Sequence, residues 1–270
     1  MQFMDIKNGR FYLGDCLEVM KEIPDGVIDM ILCDLPYGTT ACKWDSIISF
    51  EALWKEYERI IKDNGAIVLT ASQPFTSALV MSNISLYKHR WVWDKVKPGS
   101  GLCAKKAPLR NVEDVLIFCK GSVNYYPQMI PKKKRAEKKN DSNGEAFGGA
   151  KVERFHDNKG VGYPKEIIEI SNADQTNRIH PTQKPVALFE YLIRTYTNEG
   201  ELVLDNTAGS GTTAIAAENT RRKWVCIEQN EEYATKAVER IWNHEATPQQ
   251  ASEVKIDSDI PIPEGEENGN

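Results

Sequence analysis

The sequence predicts an α/β protein, doubly wound about a mainly parallel sheet, and three observations carry that prediction. Short apolar runs of strand length alternate with stretches of helical spacing along most of the chain. The run Val27 to Cys33 is apolar or thiol except at Asp29 and lies between Pro24-Asp25-Gly26 and Pro36-x-Gly38, as a strand buried on both faces reads. Near the other end, Glu201 to Asp205 runs into Gly209-Ser210-Gly211 and then into a helical stretch, a strand, loop and helix unit.

In order, Arg10 to Cys16 reads as a short strand ending at Gly14-Asp15, and Leu17 to Ile23 as a helix stopped by Pro24. The Val27 to Cys33 strand follows. Phe50 to Lys62 places Leu53, Trp54, Tyr57, Ile60 and Ile61 on one helical face, closed by Asp63-Asn64-Gly65, and Ala66 to Ala71 is an apolar strand. A helix over Pro74 to Asn83 leads to strands at Tyr87 to Asp94 and Val112 to Cys119. Tyr125 to Asn158 lacks aliphatic periodicity, and Tyr163 to Ile170 restores a strand-like alternation. Helix Val186 to Thr197, strand Glu201 to Asp205, helix Ala214 to Thr220, strand Lys223 to Glu228 and helix Glu231 to His244 complete the pattern. The remainder is polar and acidic and reads as a disordered tail.

With 270 residues, 41% hydrophobic and 27% charged, the chain has the length and composition of one large α/β domain with an inserted module. No apolar run approaches the ~20 residues of a membrane helix, and the amino terminus lacks a signal peptide's apolar core, so a cytoplasmic location is expected. The six cysteines are scattered without metal-binding or redox spacing. The net charge of -5 hides an uneven distribution. Leu86 to Asn140 carries 14 Lys plus Arg against 4 acids, whereas Glu245 to Asn270 carries 7 acids and one Lys. A basic middle is the footprint of a nucleic-acid partner, although a charge run is often only solvated surface.

Two stretches carry chemistry. Asp34-Leu35-Pro36-Tyr37 sits at the carboxyl end of the central strand, where open α/β sheets bind ligands, so an acid, a stiffened turn and an aromatic ring form a candidate reaction centre there. Gly209-Ser210-Gly211 lets backbone approach a ligand ahead of a helix amino terminus, and Glu228 ends the next strand at the distance where an acid takes ribose hydroxyls. Gly209-x-Gly211-x-x-Ala214 also satisfies the dinucleotide fingerprint, which keeps an NAD-dependent oxidoreductase as a rival. Position weighs against it: beyond the helix that the loop opens, only one strand and one helix remain, so the third strand of the cofactor half has to come from Phe11 to Asp15. The sheet is therefore expected to be circularly permuted.

In these blocks the chain resembles the permuted, or beta, group of S-adenosylmethionine-dependent DNA amino-methyltransferases, which modify adenine at N6 or cytosine at N4. Asp34 to Tyr37 matches the catalytic Asp/Ser-Pro-Pro-Tyr motif, His180-Pro181-Thr182-Gln183-Lys184-Pro185 the motif before the cofactor helix, Asp205 to Thr213 the Asp-Pro-Phe-x-Gly-x-Gly loop, and Glu228 the ribose acid. The catalytic block precedes the cofactor loop, which is the hallmark of that group. Leu35 replaces a proline, and Asn206-Thr207 replaces Pro-Phe. These departures keep a catalytically silent DNA-binding relative in view.

The resemblance implies a seven-stranded Rossmann-like methyltransferase sheet. Residues 1–120 would form its catalytic half, 121–169 an inserted target-recognition segment, 170–245 the cofactor half and 246–270 the tail. It implies that Asp34 and the Leu35 carbonyl hold the target amine, with Tyr37 stacking on the base and Pro36 stiffening the turn. Asp15, Cys16, Asp34, His180, Thr182, Gln183, Lys184, Asp205, Asn206, Thr207, Ala208, Gly209, Gly211, Thr212, Glu228 and Gln229 would hold S-adenosylmethionine, with His180 to Lys184 closing over the methionine carboxylate. No metal is implied. Lys132, Lys133, Lys134, Arg135, Lys138 and Lys139 are the expected phosphate contacts on double-stranded DNA, from which the target base has to be flipped. Asp at position 34 favours adenine N6 over cytosine N4. A homodimer and a companion restriction endonuclease are possible associates; a membrane is not.

Overall fold

In the computed structural model the described residues are 2–38, 46–99, 101, 104–132, 160–172, 179 and 183–245. The central apolar run forms β3 (Ile28–Cys33), and from Met30 onward its side chains alternate across the sheet. Met30 and Leu32 face one apolar cluster, Ile31 and Cys33 the other. α1 (Cys16–Met20), α2 (Phe50–Ile60) and α3 (Phe75–Ser82) cover the Ile31 face through Val19, Leu53, Tyr57 and Leu79. α4 (Val186–Tyr196), α5 (Thr212–Asn219) and α6 (Glu231–Trp242) cover the Met30 face through Leu192, Ala216 and Ile241. The sheet is doubly wound, as its apolar strands require.

The other strands of the sheet are β1 (Gln2–Ile6), β2 (Gly9–Leu13), β4 (Ile61–Ala71), β5 (Tyr87–Gly99), β6 (Arg110–Phe118), β9 (Ile167–Glu169), β10 (Leu202–Asp205) and β11 (Lys223–Glu228). Their order is β1-β2-β11-β10-β3-β4-β6-β5-β9. β2 lies parallel beside β11, with Glu228 opposite Leu13, so the amino-terminal strand completes the cofactor half and the sheet is permuted. The expected seven strands are the run from β2 to β5. β1 adds an antiparallel edge strand whose residues are exposed up to Ile6, leaving no apolar run to reveal it. β9 adds a parallel edge on β5 and buries Ile168 completely, so the carboxyl end of the inserted segment belongs to the main sheet. Of the segment's described remainder, β7 (Ile130–Pro131) and β8 (Val161–Gly162) form a separate two-stranded ribbon, while Gly121 N, Asn124 N and Tyr126 N donate to Asp63, Asn64 and Thr195 of the main domain.

Three local departures have physical causes. Asp63-Asn64-Gly65 does not cap α2; it is the irregular start of β4, where the register against β3 shifts between Ile28 and Met30. α1 is shorter than its apolar spacing suggests, capped by the Asp15 carboxylate, which accepts from Leu17 N and Glu18 N. β6 runs antiparallel between β4 and β5, which places its amino-terminal residues at the carboxyl edge of the parallel strands. The expected tail at 246–270 lies outside the described residues. No helix among the described residues is long and apolar enough to cross a membrane.

Candidate active site

β3 and β10 are hydrogen-bonded neighbours at the point where strand order reverses, and their two carboxyl-terminal loops face one cleft of about 570 Å³. Asp34 to Tyr37 lines one side; Asp205 to Ser210, Glu228 and Gln229 line the other. Asp15 and Cys16 at the start of α1, with Gln183, Lys184 and Thr212, complete the expected set that reaches it.

The two loops are tied together from below. Tyr57 Oη (2.6 Å) and Cys33 Sγ (2.8 Å) both donate to Asn206 Oδ1, and the Thr207 hydroxyl donates to the Asp34 carbonyl at 3.2 Å. The Asn206-Thr207 pair that departs from the family motif is thus what joins cofactor loop to catalytic loop here. Asn206 Nδ2 is buried, and the Asn206 side chain lies beside the Cys16 thiol, where it partly offsets the rise that burial gives the thiol's pKa.

In the cofactor loop, Gly209 N donates to Glu228 Oε2 (2.8 Å) and Asn230 N to Glu228 Oε1 (2.8 Å). Burial pushes the Glu228 carboxyl up, against the pull of those backbone donors. Asp205 is 3% exposed and accepts from Thr213 Oγ1 (2.5 Å) and Thr207 N (3.0 Å). Burial dominates and pushes its pKa up to about 7, with Asp34 and Glu228 adding to the rise. Gly211 does not line the cleft. Its φ of +73° makes the left-handed turn into α5, and a Cβ there would stand 2.9 Å from Ile241 Cδ1 on α6. The glycine serves the turn and the packing of α6.

The candidate reaction centre is a charged network. The Asp34 carboxylate accepts from Tyr37 Oη (2.8 Å), from Thr70 Oγ1 (2.5 Å) and from Lys184 Nζ, which stands 2.8 Å from both of its oxygens. Lys184 also makes an ion pair with Glu113 at 3.3 Å, and Glu113 pairs in turn with Lys95 at 3.0 Å. Burial on its own would lower the Lys184 pKa; Asp34 and Glu113 outweigh it and raise it. In this geometry the Lys184 ammonium holds the Asp34 and Glu113 carboxylates together at the cleft wall. The Tyr37 ring stacks on Phe75 at 5.1 Å and 25°, which braces it from behind, and Leu35 is 4% exposed with its side chain in the core.

His180 and Thr182 lie outside the described residues, as do Lys133, Lys134, Arg135, Lys138 and Lys139. Lys132 is exposed, its backbone N donating to Gly160 O and its side chain packed over Gly162. Sequence reading missed Glu113, Lys95, Asn172, Phe189 and Tyr233, all of which line the cleft. For Glu113 the reason is direction: in a parallel strand it would sit at the far edge, and only the antiparallel β6 brings it to the site. Trp93 is 2% exposed and also forms part of the cleft wall.

The lining carries five carboxylates, Asp15, Asp34, Glu113, Asp205 and Glu228, against two ammonium groups, Lys95 and Lys184. Both ammonium groups are already ion-paired. A dinucleotide's pyrophosphate would meet net negative charge here, whereas a sulfonium cation with an ammonium group suits it. Among the described residues no cluster of side chains could hold a metal ion.

A permuted, doubly wound sheet with an acidic cleft and an Asp-Leu-Pro-Tyr turn at its switch point defines a methyltransferase type of α/β domain. The N6/N4 DNA methylase family pattern matches residues 28–239, and the chain belongs to that family. Among curated relatives, Type II methyltransferase M.HpaI of Haemophilus parainfluenzae is 26% identical over 251 residues, 86% of this chain and 74% of that protein. DNA adenine methyltransferase YhdJ of Escherichia coli K12 is 30% identical over 243 residues, 84% of this chain and 81% of that one. The M1.HpyAVI–SAM complex superposes with a TM-score of 0.60 at 23% identity, covering 86% of this chain and 99% of that one.

Proposed function

We propose that this DNA methyltransferase moves a methyl group from S-adenosylmethionine to the exocyclic N6 of adenine, taking the base out of double-stranded DNA. The observation that carries the reading is the Asp34 carboxylate, held by Tyr37, Thr70 and Lys184 and facing the glycine turn across an acidic cleft. When bound, the cofactor supplies a methyl group on a positively charged sulfur. Asn206, Glu228 and Asp205 are the groups in this chain that would hold it.

An exocyclic amine is a weak nucleophile because its lone pair is delocalised into the ring. Asp34 and the Leu35 carbonyl accept its two hydrogens, which favours a tetrahedral nitrogen with the lone pair aimed at the methyl. As the nitrogen–carbon bond forms, the carbon–sulfur bond breaks and the nitrogen becomes cationic. The Asp34 carboxylate stabilises that charge, and the amine proton then leaves to solvent. Lys184 offsets the charge that Asp34 and Glu113 would otherwise place side by side. Tyr37, braced by Phe75, presents its remaining face to the flipped base.

Adenine is favoured by the acid at position 34 and by the likeness to a relative named as an adenine methyltransferase. The basic run from Lys132 to Lys139 remains our candidate for phosphate contacts. A companion endonuclease is supported by the type II naming of M.HpaI. In cells expressing the protein, nucleoside analysis of DNA should show N6-methyladenine, and the Asp34→Ala variant should show none while still binding S-adenosylhomocysteine. N4-methylcytosine in its place would overturn the choice of base, and undiminished transfer by the variant would overturn the reaction centre.

A further inference from the structure

Val96 is a β-branched residue at φ +62°, a backbone region such residues rarely occupy, and it is 57% exposed. The strain is held in place from several sides. Val96 N donates to Asp94 Oδ1 at 2.8 Å, and Asn111 Nδ2 reaches the same oxygen from the opposite strand. The carbonyls of Asp94 and Lys95 accept from Ile170 N (3.1 Å) and Asn172 N (3.3 Å). Lys95 itself lines the cleft and pairs with Glu113, so Val96 stands one residue from the wall of the reaction centre.

The outer part of the β5–β6 hairpin, with Val96 near the end of β5, is basic and partly apolar. Lys97, Lys105, Lys106 and Arg110 are exposed and make no ion pair with a described residue, and no acid occurs between Asp94 and Glu113. Leu109 and Val112 are also exposed, at 42% and 46%. Strained, surrounded exposure of an apolar side chain at a site's rim is a feature that surrounding structure has to over-determine, as it does here.

We propose that this hairpin opens the duplex: Val96 enters the base stack where the target base leaves, while Lys97, Lys105, Lys106 and Arg110 hold the flanking phosphates. This rests on the reading that the cleft methylates a base flipped from DNA. An apolar side chain inserted between base steps offsets the lost stacking, and a fixed backbone aims it without an entropic cost at the moment of binding.

Val96→Gly removes the wedge and relieves the backbone, so the variant should fold at least as stably as the wild type. The methylated site is first read from cellular DNA by modified-base sequencing, and a duplex bearing it is made with the target paired and with the target mismatched. Single-turnover methylation of the paired duplex should slow by about tenfold or more in Val96→Gly, while the mismatched duplex, already cheap to open, should change by less than about twofold. Val96→Ile should retain the paired rate. Changing the four cations to Gln should flatten the salt dependence of binding, the slope falling by ~0.9 for each phosphate no longer neutralised. An unchanged paired rate, an equal loss on both duplexes or an unchanged salt slope would overturn the proposal. Absence of any methylated site in cells would instead count against the function on which it rests.

Discussion

Asp205 should couple cofactor binding to a proton. Its ordinary carboxyl value is 3.8, and burial at the base of the cleft pushes it up to about 7. In the empty protein, the folded state therefore keeps a proton that the unfolded chain has lost between about pH 4 and pH 7. Stability from this group is full below the unfolded value and is lost as pH rises through the folded one. The difference of about 3 pH units corresponds to on the order of 4 kcal/mol. A cationic ligand reverses the preference, because it stabilises the ionised carboxylate in the same cleft. Binding below pH 7 should then release a proton from Asp205, and the affinity for S-adenosylmethionine should fall more than about tenfold from pH 7 to 5.5. Calorimetry in two buffers of different ionisation enthalpy counts the released protons directly. Asp205→Asn mimics the protonated form and should lose most of that release, and the difference between the two proteins separates Asp205 from Glu228, whose carboxyl is also raised by burial. Equal proton release in Asp205→Asn and wild type, or an affinity flat across that range, would refute the assignment.

Three further perturbations separate roles that the same residues could have played. Lys184→Met removes the cation between Asp34 and Glu113, whose side chains keep 22% and 16% exposure, so the cost should be about 1–3 kcal/mol by denaturant titration, less than for a fully buried pair. Its turnover should fall by about tenfold or more with cofactor affinity little changed, since the lost interaction acts on the catalytic acid; a variant weakened only in cofactor binding would return Lys184 to the cofactor. Gly211→Ala forces a side chain into a +73° turn, 2.9 Å from Ile241 Cδ1, and should lower stability by about 1–3 kcal/mol while leaving S-adenosylhomocysteine affinity intact below the melting transition. Loss of that affinity with unchanged stability would put the glycine back against the ligand. Thr207→Val removes the hydroxyl that donates to the Asp34 carbonyl and should slow methyl transfer several-fold at saturating cofactor; an unchanged rate would mean that the tie between the two loops is dispensable.

What the sequence made legible was what depends on local pattern. Apolar runs marked β3, β4, β10 and β11, and the glycine turn with Glu228 marked the cofactor side. The chain order of the two motifs then required β2 to close the sheet, and the Glu228–Leu13 register meets that requirement. What stayed hidden depends on strand direction and on side chains that reach across the fold. Glu113 looked like an ordinary polar position of a strand until β6 proved antiparallel, and no local pattern announces that the Lys184 ammonium stands 2.8 Å from Asp34, far away in the chain.

The permuted order also explains why one residue can serve two loops. Asn206 and Thr207 follow β10 late in the chain, yet their partners Tyr57, Cys33 and Asp34 come from its first quarter. A proline and an aromatic ring in these positions could supply neither the Asn206 acceptor nor the Thr207 donor. Asn206 and Thr207 therefore form a polar seam between the two halves of the sheet. That seam fixes the Asp34 carboxylate relative to the glycine turn, and if Asp34 holds the target amine as proposed, this relative placement is what methyl transfer depends on most steeply.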